Sequence, residues 1–134
     1  MAKLNVLVVD DEKHFQDMIC DWVNSWGHTT TVVSSGPEAI AAVKNNKFDT
    51  IVLDYKMPGM DGITTLKEIR TIDSKVAVIM FTGHPDQKSV AESYKLGISF
   101  YVTKFNEAVD VHNVLEASFD LIVKSLEEKD SCGK

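Results

Sequence analysis

The sequence lacks any apolar run long enough to cross a membrane. Its hydrophobic stretches, such as residues 76–81, fall far short of the ~20 residues that a transmembrane helix needs. It also lacks an excess of basic residues, because 14 Lys and Arg stand against 20 Asp and Glu and the net charge is -6. Proteins that bind nucleic acid present a basic patch to the phosphates. We therefore expect neither membrane insertion nor direct DNA binding.

Cysteine is scarce as well. The two cysteines, Cys20 and Cys132, form neither a CxxC pair nor a metal-binding spacing. Free thiols of this kind are typical of a reducing compartment, so we expect a cytoplasmic protein. No internal repeat, low-complexity tract or linker divides the 134 residues, a length that fits one domain.

Short apolar runs alternate with longer segments of helical period throughout the chain. The runs predict five strands, at residues 4–9, 29–33, 50–53, 76–81 and 99–102. This alternation is typical of an α/β fold with a doubly wound parallel sheet and helices on both faces. The first, third and fourth runs are almost wholly apolar and should be central, whereas the other two fit the edges. We predict a single domain with strand order 2-1-3-4-5.

Apolar stripes and capping residues mark the helices between these strands. The first helix has one stripe at helical spacing, made up of Phe15, Met18, Ile19, Trp22, Val23 and Trp26. Ser35 opens a capping box for the second helix, Asp61 can cap the third, and Pro85 suits the first turn of the fourth. The fifth helix is predicted over about 107–127, followed by a disordered tail at 128–134.

Charged and polar residues follow the predicted strands where each strand ends. They are Asp10, Asp11, Asp54, Thr82 and Lys104. In a parallel sheet the C-terminal ends of all strands lie at one edge, which is where ligands bind. Three carboxylates, one hydroxyl and one ammonium should therefore converge on one pocket, a combination that suits a divalent cation and a phosphoryl group.

The three aspartates have competing interpretations. One of Asp10 and Asp11 could simply cap the first helix. Two adjacent carboxylates facing Asp54, however, repel each other unless a cation lies between them. Mg²⁺ is a hard cation that takes oxygen ligands. Asp54 could be only a turn former before Pro58-Gly59, or it is a carboxylate nucleophile that forms an acyl phosphate.

Lys104 and Thr82 also have two interpretations each. Lys104 would bring a cation to the phosphoryl oxygens, although a surface lysine with its ammonium in water is the simpler explanation. Thr82 would donate a hydrogen bond to the phosphoryl group, although threonine is common at strand ends. The three acids that face these residues favour the functional interpretation of both.

Four motifs in order along the chain show a family resemblance: VLVVDDE, VLDYKMPGMDG, VIMFTGH and GISFYVTK. Together they make residues 4–127 resemble a response regulator receiver domain of bacterial two-component signalling, like the single-domain chemotaxis regulators. The resemblance implies a flavodoxin-like (βα)5 fold. It also implies that a histidine kinase or histidine phosphotransfer protein phosphorylates Asp54, in a signalling switch rather than an enzyme that turns over an external substrate.

The resemblance implies a metal site in the pocket. Asp11 and Asp54 would bind Mg²⁺ (or Mn²⁺) directly, and Asp10 would bind it mainly through water. The backbone carbonyl of Lys56 would complete the site.

The resemblance further implies a switch that reads the phosphoryl group. Lys104 would pair with that group, Thr82 would move toward it, and Tyr101 would rotate inward to fill the vacated space. The fourth helix, fifth strand and fifth helix would then present the output surface to a downstream protein. The chain would act as a monomer or as a phosphorylation-dependent dimer.

Phe105 departs from the family pattern, and two further residues near the pocket, Lys56 and His84, stand at positions that vary within the family. Phe105 follows Lys104 where the family usually has proline in a cis peptide, and a cis bond costs about 2.5–4 kcal/mol before a non-proline residue against about 0.5–1 kcal/mol before proline. We therefore predict a trans bond with a shifted loop in preference to a strained cis bond. Lys56 and His84 border the pocket mouth, where they either modulate the lifetime of the phosphorylated protein or are solvated loop residues.

Other functions compete with the phosphoacceptor switch. A pseudo-receiver, an unphosphorylated protein-interaction module, is supported only by the departure at Phe105 and is opposed by the intact acids. A metal-dependent phosphatase would need an Asp-x-Asp motif after the first strand, where this chain has adjacent aspartates. A flavin-binding protein would need a glycine- and hydroxyl-rich phosphate loop there, and acidic side chains would repel its phosphate.

Overall fold

A computed structural model describes residues 3–104 and 110–132 of the chain, with side chains to residue 128. Five strands and five helices alternate along this part of the chain. The strands are β1 (Asn5–Val9), β2 (Thr29–Val33), β3 (Thr50–Leu53), β4 (Ala77–Thr82) and β5 (Phe100–Thr103). The helices are α1 (Lys13–Ser25), α2 (Gly36–Asn45), α3 (Gly62–Ile72), α4 (Gln87–Lys95) and α5 (Val111–Cys132). All five predicted strands are confirmed, with small shifts at the ends of β1, β4 and β5.

The strands form one parallel sheet in the order β2-β1-β3-β4-β5. Val9, at the end of β1, pairs with Val33 on one side and Leu53 on the other, so neighbouring strands end at the same level. Every residue of β3 is buried, whereas β2 lies at an edge where Val32 is 40% exposed. The predicted α/β class, strand order and single doubly wound sheet are confirmed.

Two apolar layers cover the two faces of the sheet, because successive side chains along a strand alternate between faces. Leu7 and Val9 belong to a buried cluster with residues of α2 and α3. Val6 and Val8 belong to a second cluster with residues of α1 and α5. With both faces covered by helices, the open end of the sheet is the edge where its strands terminate.

The apolar stripe of α1 faces the sheet as predicted. Phe15, Ile19 and Val23 are buried, and three partly buried side chains flank them, those of Met18, Trp22 and Trp26. Gly27 follows the helix with φ +94°, a left-handed conformation that terminates helices and suits glycine. This placement puts Phe15 in the first turn of α1, next to the end of β1.

Side-chain caps begin α2, α3 and α4. Ser35 and Asp61 cap α2 and α3 as predicted, each accepting a hydrogen bond from a backbone N–H of the first turn. Pro85, however, does not lie in the first turn of α4, and that prediction was wrong. Asp86 is the N-cap instead, and its carboxylate accepts the N–H of Ser89 at 2.7 Å. An aspartate side chain can satisfy a free helical N–H, and so it takes the capping position next to the proline.

The last helix, α5, begins at Val111, with the Asp110 carboxylate accepting the N–H of Asn113 at 3.3 Å. The predicted start near residue 107 falls within 105–109, outside the described residues. The helix continues to Cys132, past the predicted end at 127, and the domain limits 4–127 remain a prediction. Neither α5 nor any other described helix is both long enough and apolar enough to cross a membrane.

Candidate functional site

Hydrogen bonds between neighbouring strands bring the predicted site residues to one edge of the sheet. The N–H of Asp54 bonds to the carbonyl of Val9 at 3.0 Å, and the N–H of Lys104 bonds to the carbonyl of Thr82 at 2.8 Å. Asp10 directly follows Val9. Because β1, β3, β4 and β5 are successive neighbours, the ends of all four strands lie side by side.

Lys104 pairs with two buried carboxylates at this edge. Its Nζ lies 2.7 Å from Asp10 Oδ2 and 3.2 Å from Asp54 Oδ2. Lys104, Asp10 and Asp54 are 7%, 1% and 3% exposed, so these ion pairs are shielded from water. Asp11 is exposed, yet one carboxylate oxygen from each of the three aspartates lies within 4.8 Å of the others. The structure therefore brings together the acids and the ammonium that the sequence singled out.

The pKa values of these groups reflect their burial and their mutual attraction. Burial raises the pKa of Asp10 and of Asp54, since it disfavours the charged carboxylate, and Lys104 offsets only part of each rise. Burial lowers the pKa of Lys104, but the two carboxylates together outweigh this effect and the net direction is upward. Lys104 therefore stays positively charged. Its single charge does not balance the negative charge of both Asp10 and Asp54.

Backbone N–H groups hold the two buried carboxylates in place. The N–H of Glu12 donates to Asp10 Oδ1 at 2.9 Å, and the N–H of Lys56 lies 3.4 Å from Asp54 Oδ1. Both oxygens of Asp10 thus contact a donor or cation of the protein. Asp11 is instead open to solvent at the mouth of the pocket.

Thr82 ends β4 and is fully buried beside Asp54. Its Oγ1 accepts the N–H of His84 at 3.1 Å. While burial raises the pKa of Asp54, the Thr82 hydroxyl is among the groups that lower it. The side chains of His84 and Lys56 are exposed in the loops after β4 and β3. Their effect on the lifetime of a phosphorylated form remains a prediction.

Tyr101 lies on β5 and is tied to the start of α4. Its hydroxyl is 2.9 Å from Oγ of Ser89, a buried residue whose hydroxyl also donates to the carbonyl of Asp86 at 3.1 Å. Burial raises the pKa of the Tyr101 phenol, and the hydrogen bond with Ser89 lowers it in part. Tyr101 is therefore linked to the helix that follows Thr82 in the chain.

Gly62 allows the loop after β3 to approach the start of α3 closely. Its N–H donates to the carbonyl of Tyr55 at 2.7 Å. A Cβ atom on Gly62 would lie 2.7 Å from the Cα of Tyr55 and would collide with the carbonyl oxygen of Asp54. Any side chain at this position would therefore displace the backbone that holds Asp54.

Two contacts at the site were not predicted from the sequence. The ring of Phe15 lies under the Lys104 ammonium, with Nζ 4.0 Å from the ring centroid, and Ser89 contacts Tyr101. The helical stripe placed Phe15 on the buried face of α1, but no sequence signal connects it to the lysine that follows β5. The predicted trans peptide between Lys104 and Phe105 involves a residue outside the described part of the chain.

The chain is similar to known proteins over most of its length. A family model, "Response regulator receiver domain", matches residues 6–116. The chain is 31% identical over 117 residues to sporulation initiation phosphotransferase F of Bacillus subtilis, covering 87% of this chain and 92% of that protein. It is also 31% identical over 103 residues to the transcriptional regulatory protein ZraR of Salmonella typhimurium. That match covers 77% of this chain and only 23% of the regulator, so the chain spans less than a quarter of that relative.

Solved structures show the same fold. A CheY-like response regulator receiver domain protein from Methanospirillum hungatei has a TM-score of 0.84 at 22% identity, over 95% of this chain and 99% of that one. The receiver domain of the Francisella response regulator 1452 has a TM-score of 0.78 at 29% identity, over 92% of this chain and 99% of that one. The family match includes the clustered aspartates, Thr82 and Lys104, and it shows that the chain belongs to the response regulator receiver domain family.

Proposed function

We propose that the chain is a Mg²⁺-dependent phosphoacceptor switch in which a histidine kinase or histidine phosphotransfer protein phosphorylates Asp54. Receiver domains are typically signalling switches rather than enzymes that turn over a substrate. The observation that most supports this function is the position of Asp54, 3.2 Å from the Lys104 ammonium and grouped with two further carboxylates. Acyl phosphate formation needs a carboxylate nucleophile with positive charge beside it.

The donor set of the pocket fits Mg²⁺, which receiver domains generally bind at an acidic pocket. Hard cations of this size take carboxylate and carbonyl oxygens and keep several waters. Asp11 and Asp54 would bind the ion directly, together with the backbone carbonyl of Lys56. Asp10, whose oxygens lie 2.9 Å from the N–H of Glu12 and 2.7 Å from Lys104 Nζ, would reach it mainly through water, as the family resemblance implies. The ion would neutralise charge on the phosphoryl oxygens.

Phosphoryl transfer would form a bond between a carboxylate oxygen of Asp54 and phosphorus. The bond from phosphorus to the donor histidine breaks at the same time, and its electron pair stays on the nitrogen. Lys104, whose ammonium lies against two carboxylates, would then turn one N–H toward the new phosphoryl oxygens. Positioning and charge stabilisation supply most of the catalysis in this chemistry, so the protein needs no further nucleophile.

Phosphorylation would act by shifting the population between two conformations. Thr82 would approach the phosphoryl group, releasing space next to β4 for the ring of Tyr101. The hydrogen bond between Tyr101 and Ser89 would transmit this change to the start of α4. A downstream protein would recognise α4, β5 and α5 in the altered state, with the chain acting as a monomer or a phosphorylation-dependent dimer.

The relatives indicate two settings for this switch. The name of the Bacillus subtilis relative describes a phosphotransferase, and its length is nearly covered by this chain, so we infer a role within a phosphorelay. Receiver domains of larger transcriptional regulators are also similar. A cytoplasmic location fits the Cys20 thiol, which forms no disulfide.

Intact-protein mass spectrometry tests the proposed function directly. The protein would be incubated with acetyl phosphate and Mg²⁺, beside an Asp54→Asn variant, a sample with chelator, and an Asp17→Asn variant that removes an exposed carboxylate of α1. We expect a phosphoryl adduct in the wild type and in Asp17→Asn only, and only with the metal. A folded wild-type protein that gains no adduct under these conditions would instead support the pseudo-receiver.

Lys56 and His84 would influence how quickly water removes the phosphoryl group, since both side chains are exposed in the loops that follow Asp54 and Thr82. Replacing both with alanine would change the decay rate of the adduct, measured by mass after the donor is removed. An unchanged lifetime would show that they are only solvated loop residues.

A further inference from the structure

We propose that Phe15 is a positioning residue that holds the Lys104 ammonium at the phosphoacceptor site through a cation–π contact. The consequence for phosphorylation rests on the function proposed above, whereas the contact itself can be measured without it. Nζ of Lys104 lies 4.0 Å from the centroid of the Phe15 ring. Favourable cation–π pairs place the cation within about 6 Å of the ring centroid.

The ring and the two carboxylates contact the same nitrogen atom. Asp10 and Asp54 lie 2.7 Å and 3.2 Å from Nζ, and the face of Phe15 is a third contact. Phe15 and Lys104 are each 7% exposed, so little water competes for the ammonium. Desolvation strengthens a cation–π contact, which is weaker at exposed sites.

The surrounding structure keeps the Phe15 ring in this place. It packs edge-to-face against Phe81 of β4, with centroids 6.4 Å apart and planes at 82°, and a ring contact with His14 at 5.2 Å covers another side. Phe15 also belongs to the buried cluster between the sheet, α1 and α5. The ring is thus anchored by the core and presents a fixed surface to the ammonium.

An aromatic ring suits this position better than a third carboxylate would. Its face attracts a cation through the ring quadrupole but has no net charge. A carboxylate in its place would also attract the ammonium, yet it would repel the incoming phosphoryl oxygens. Phe15 can therefore limit where the ammonium lies while leaving it free to exchange a carboxylate oxygen for a phosphoryl oxygen.

A double-mutant cycle on the full chain, with chelator present, measures the contact. It combines Phe15→Leu with Lys104→Met and compares unfolding equilibrium constants in urea. The matched control is Phe119→Leu with Lys104→Met, because Phe119 is buried in the same cluster and stacks on His28. We expect a coupling of roughly two- to thirty-fold for Phe15 and none for Phe119. Equal coupling in the two cycles would refute the cation–π contact.

Fluorinated phenylalanines at position 15 test the positioning role of Phe15. They also test the cation–π contact itself if Lys104→Met fails to fold. Successive fluorines weaken the negative face of the ring with little change in shape. We expect unfolding in the absence of metal to become easier with each fluorine, while the series makes phosphorylation by acetyl phosphate progressively slower. Phe15→Tyr should stay close to wild type, because tyrosine also binds cations.

The outcomes separate this inference from the proposed function. If stability follows the fluorine series but no variant, nor the wild type, gains a phosphoryl group, the phosphoacceptor function fails and Phe15 is only a structural partner of Lys104. If phosphorylation proceeds at one rate across the series, the positioning role is refuted while the function stands. The inference holds only if the free energy of unfolding and the rate of phosphorylation both decrease as fluorines withdraw electron density from the ring.

Discussion

Replacing His28 tests how the free energy of unfolding depends on pH through one buried histidine. The His28 ring is 6% exposed, its Nδ1 accepts the N–H of Leu4 at 3.0 Å, and it stacks on Phe119 at a centroid distance of 5.7 Å. A histidine nitrogen can accept a hydrogen bond only when it has no proton. In the tautomer that this geometry requires, the ring is neutral, and protonating Nδ1 would break its bond to Leu4, the residue before β1.

The sign of the effect follows from the pKa of His28. Burial lowers this pKa in the folded protein, although Asp120 and Asp49 raise it in part, whereas the unfolded-state value is about 6.5. Between the two values the unfolded chain binds more protons, so the free energy of unfolding decreases as the pH falls. The contribution of His28 is complete above about pH 6.5 and is lost as the pH drops through the folded-state pKa. The slope is at most about 1.4 kcal/mol per pH unit for one group.

This loss of stability can be measured by urea unfolding, followed by far-UV circular dichroism. The pH values would run from about 7.5 to about 5.5, on both sides of the unfolded-state pKa. His28→Gln removes the titration while an amide oxygen can still accept the Leu4 N–H. Its unfolding free energy should fall less steeply with acid than that of the wild type. His14→Gln, which removes an exposed histidine, is the control. Parallel curves for wild type and His28→Gln would refute the assigned role of the Leu4 hydrogen bond.

Three further substitutions test the site itself. Gly62→Ala should destabilise the protein by about 1–3 kcal/mol and slow phosphorylation, because the added Cβ meets the backbone of Asp54; urea unfolding and adduct formation measure the two effects. Lys104→Met should cost about 3–5 kcal/mol in unfolding free energy without metal, since it leaves two buried carboxylates uncompensated, and a loss below 1 kcal/mol would contradict the buried ion pairs. Ser89→Ala should cost about 1 kcal/mol and raise the phenol pKa of Tyr101 in an ultraviolet titration, as the hydrogen bond with Ser89 lowers it.

Much of the fold could be predicted because its signals are local. The wholly apolar run at 50–53 indicates a strand buried on both faces, and β3 is buried throughout. Ser35 and Asp61 were correctly predicted as caps because the cap and its partner N–H lie within one turn. Pro85 was misplaced because a fixed φ suits either side of a helix start, and only the side chain of Asp86 distinguishes them.

For the site, the sequence predicted which residues follow the ends of the strands, but not the contacts among their side chains. Once the strand order was inferred, Asp10, Asp54 and Lys104 had to lie at one edge. The sequence could not assign a partner to each oxygen of Asp10, or place the ring of Phe15 below the ammonium of Lys104, which follows β5. Those contacts join residues far apart in the chain, and they depend on side-chain rotamers and helix packing rather than on local spacing.

The charges at the site support a divalent cation independently of any motif. Three carboxylates and one ammonium leave the cluster formally two charges negative, and burial raises the pKa of the two enclosed aspartates. Phe15 contributes an attractive face without net charge, so it cannot balance this excess. A divalent ion would restore neutrality at the exposed side, where Asp11 is open to solvent. The same negative excess would oppose a phosphoryl group in the absence of metal, and hence phosphorylation of Asp54 should require the ion.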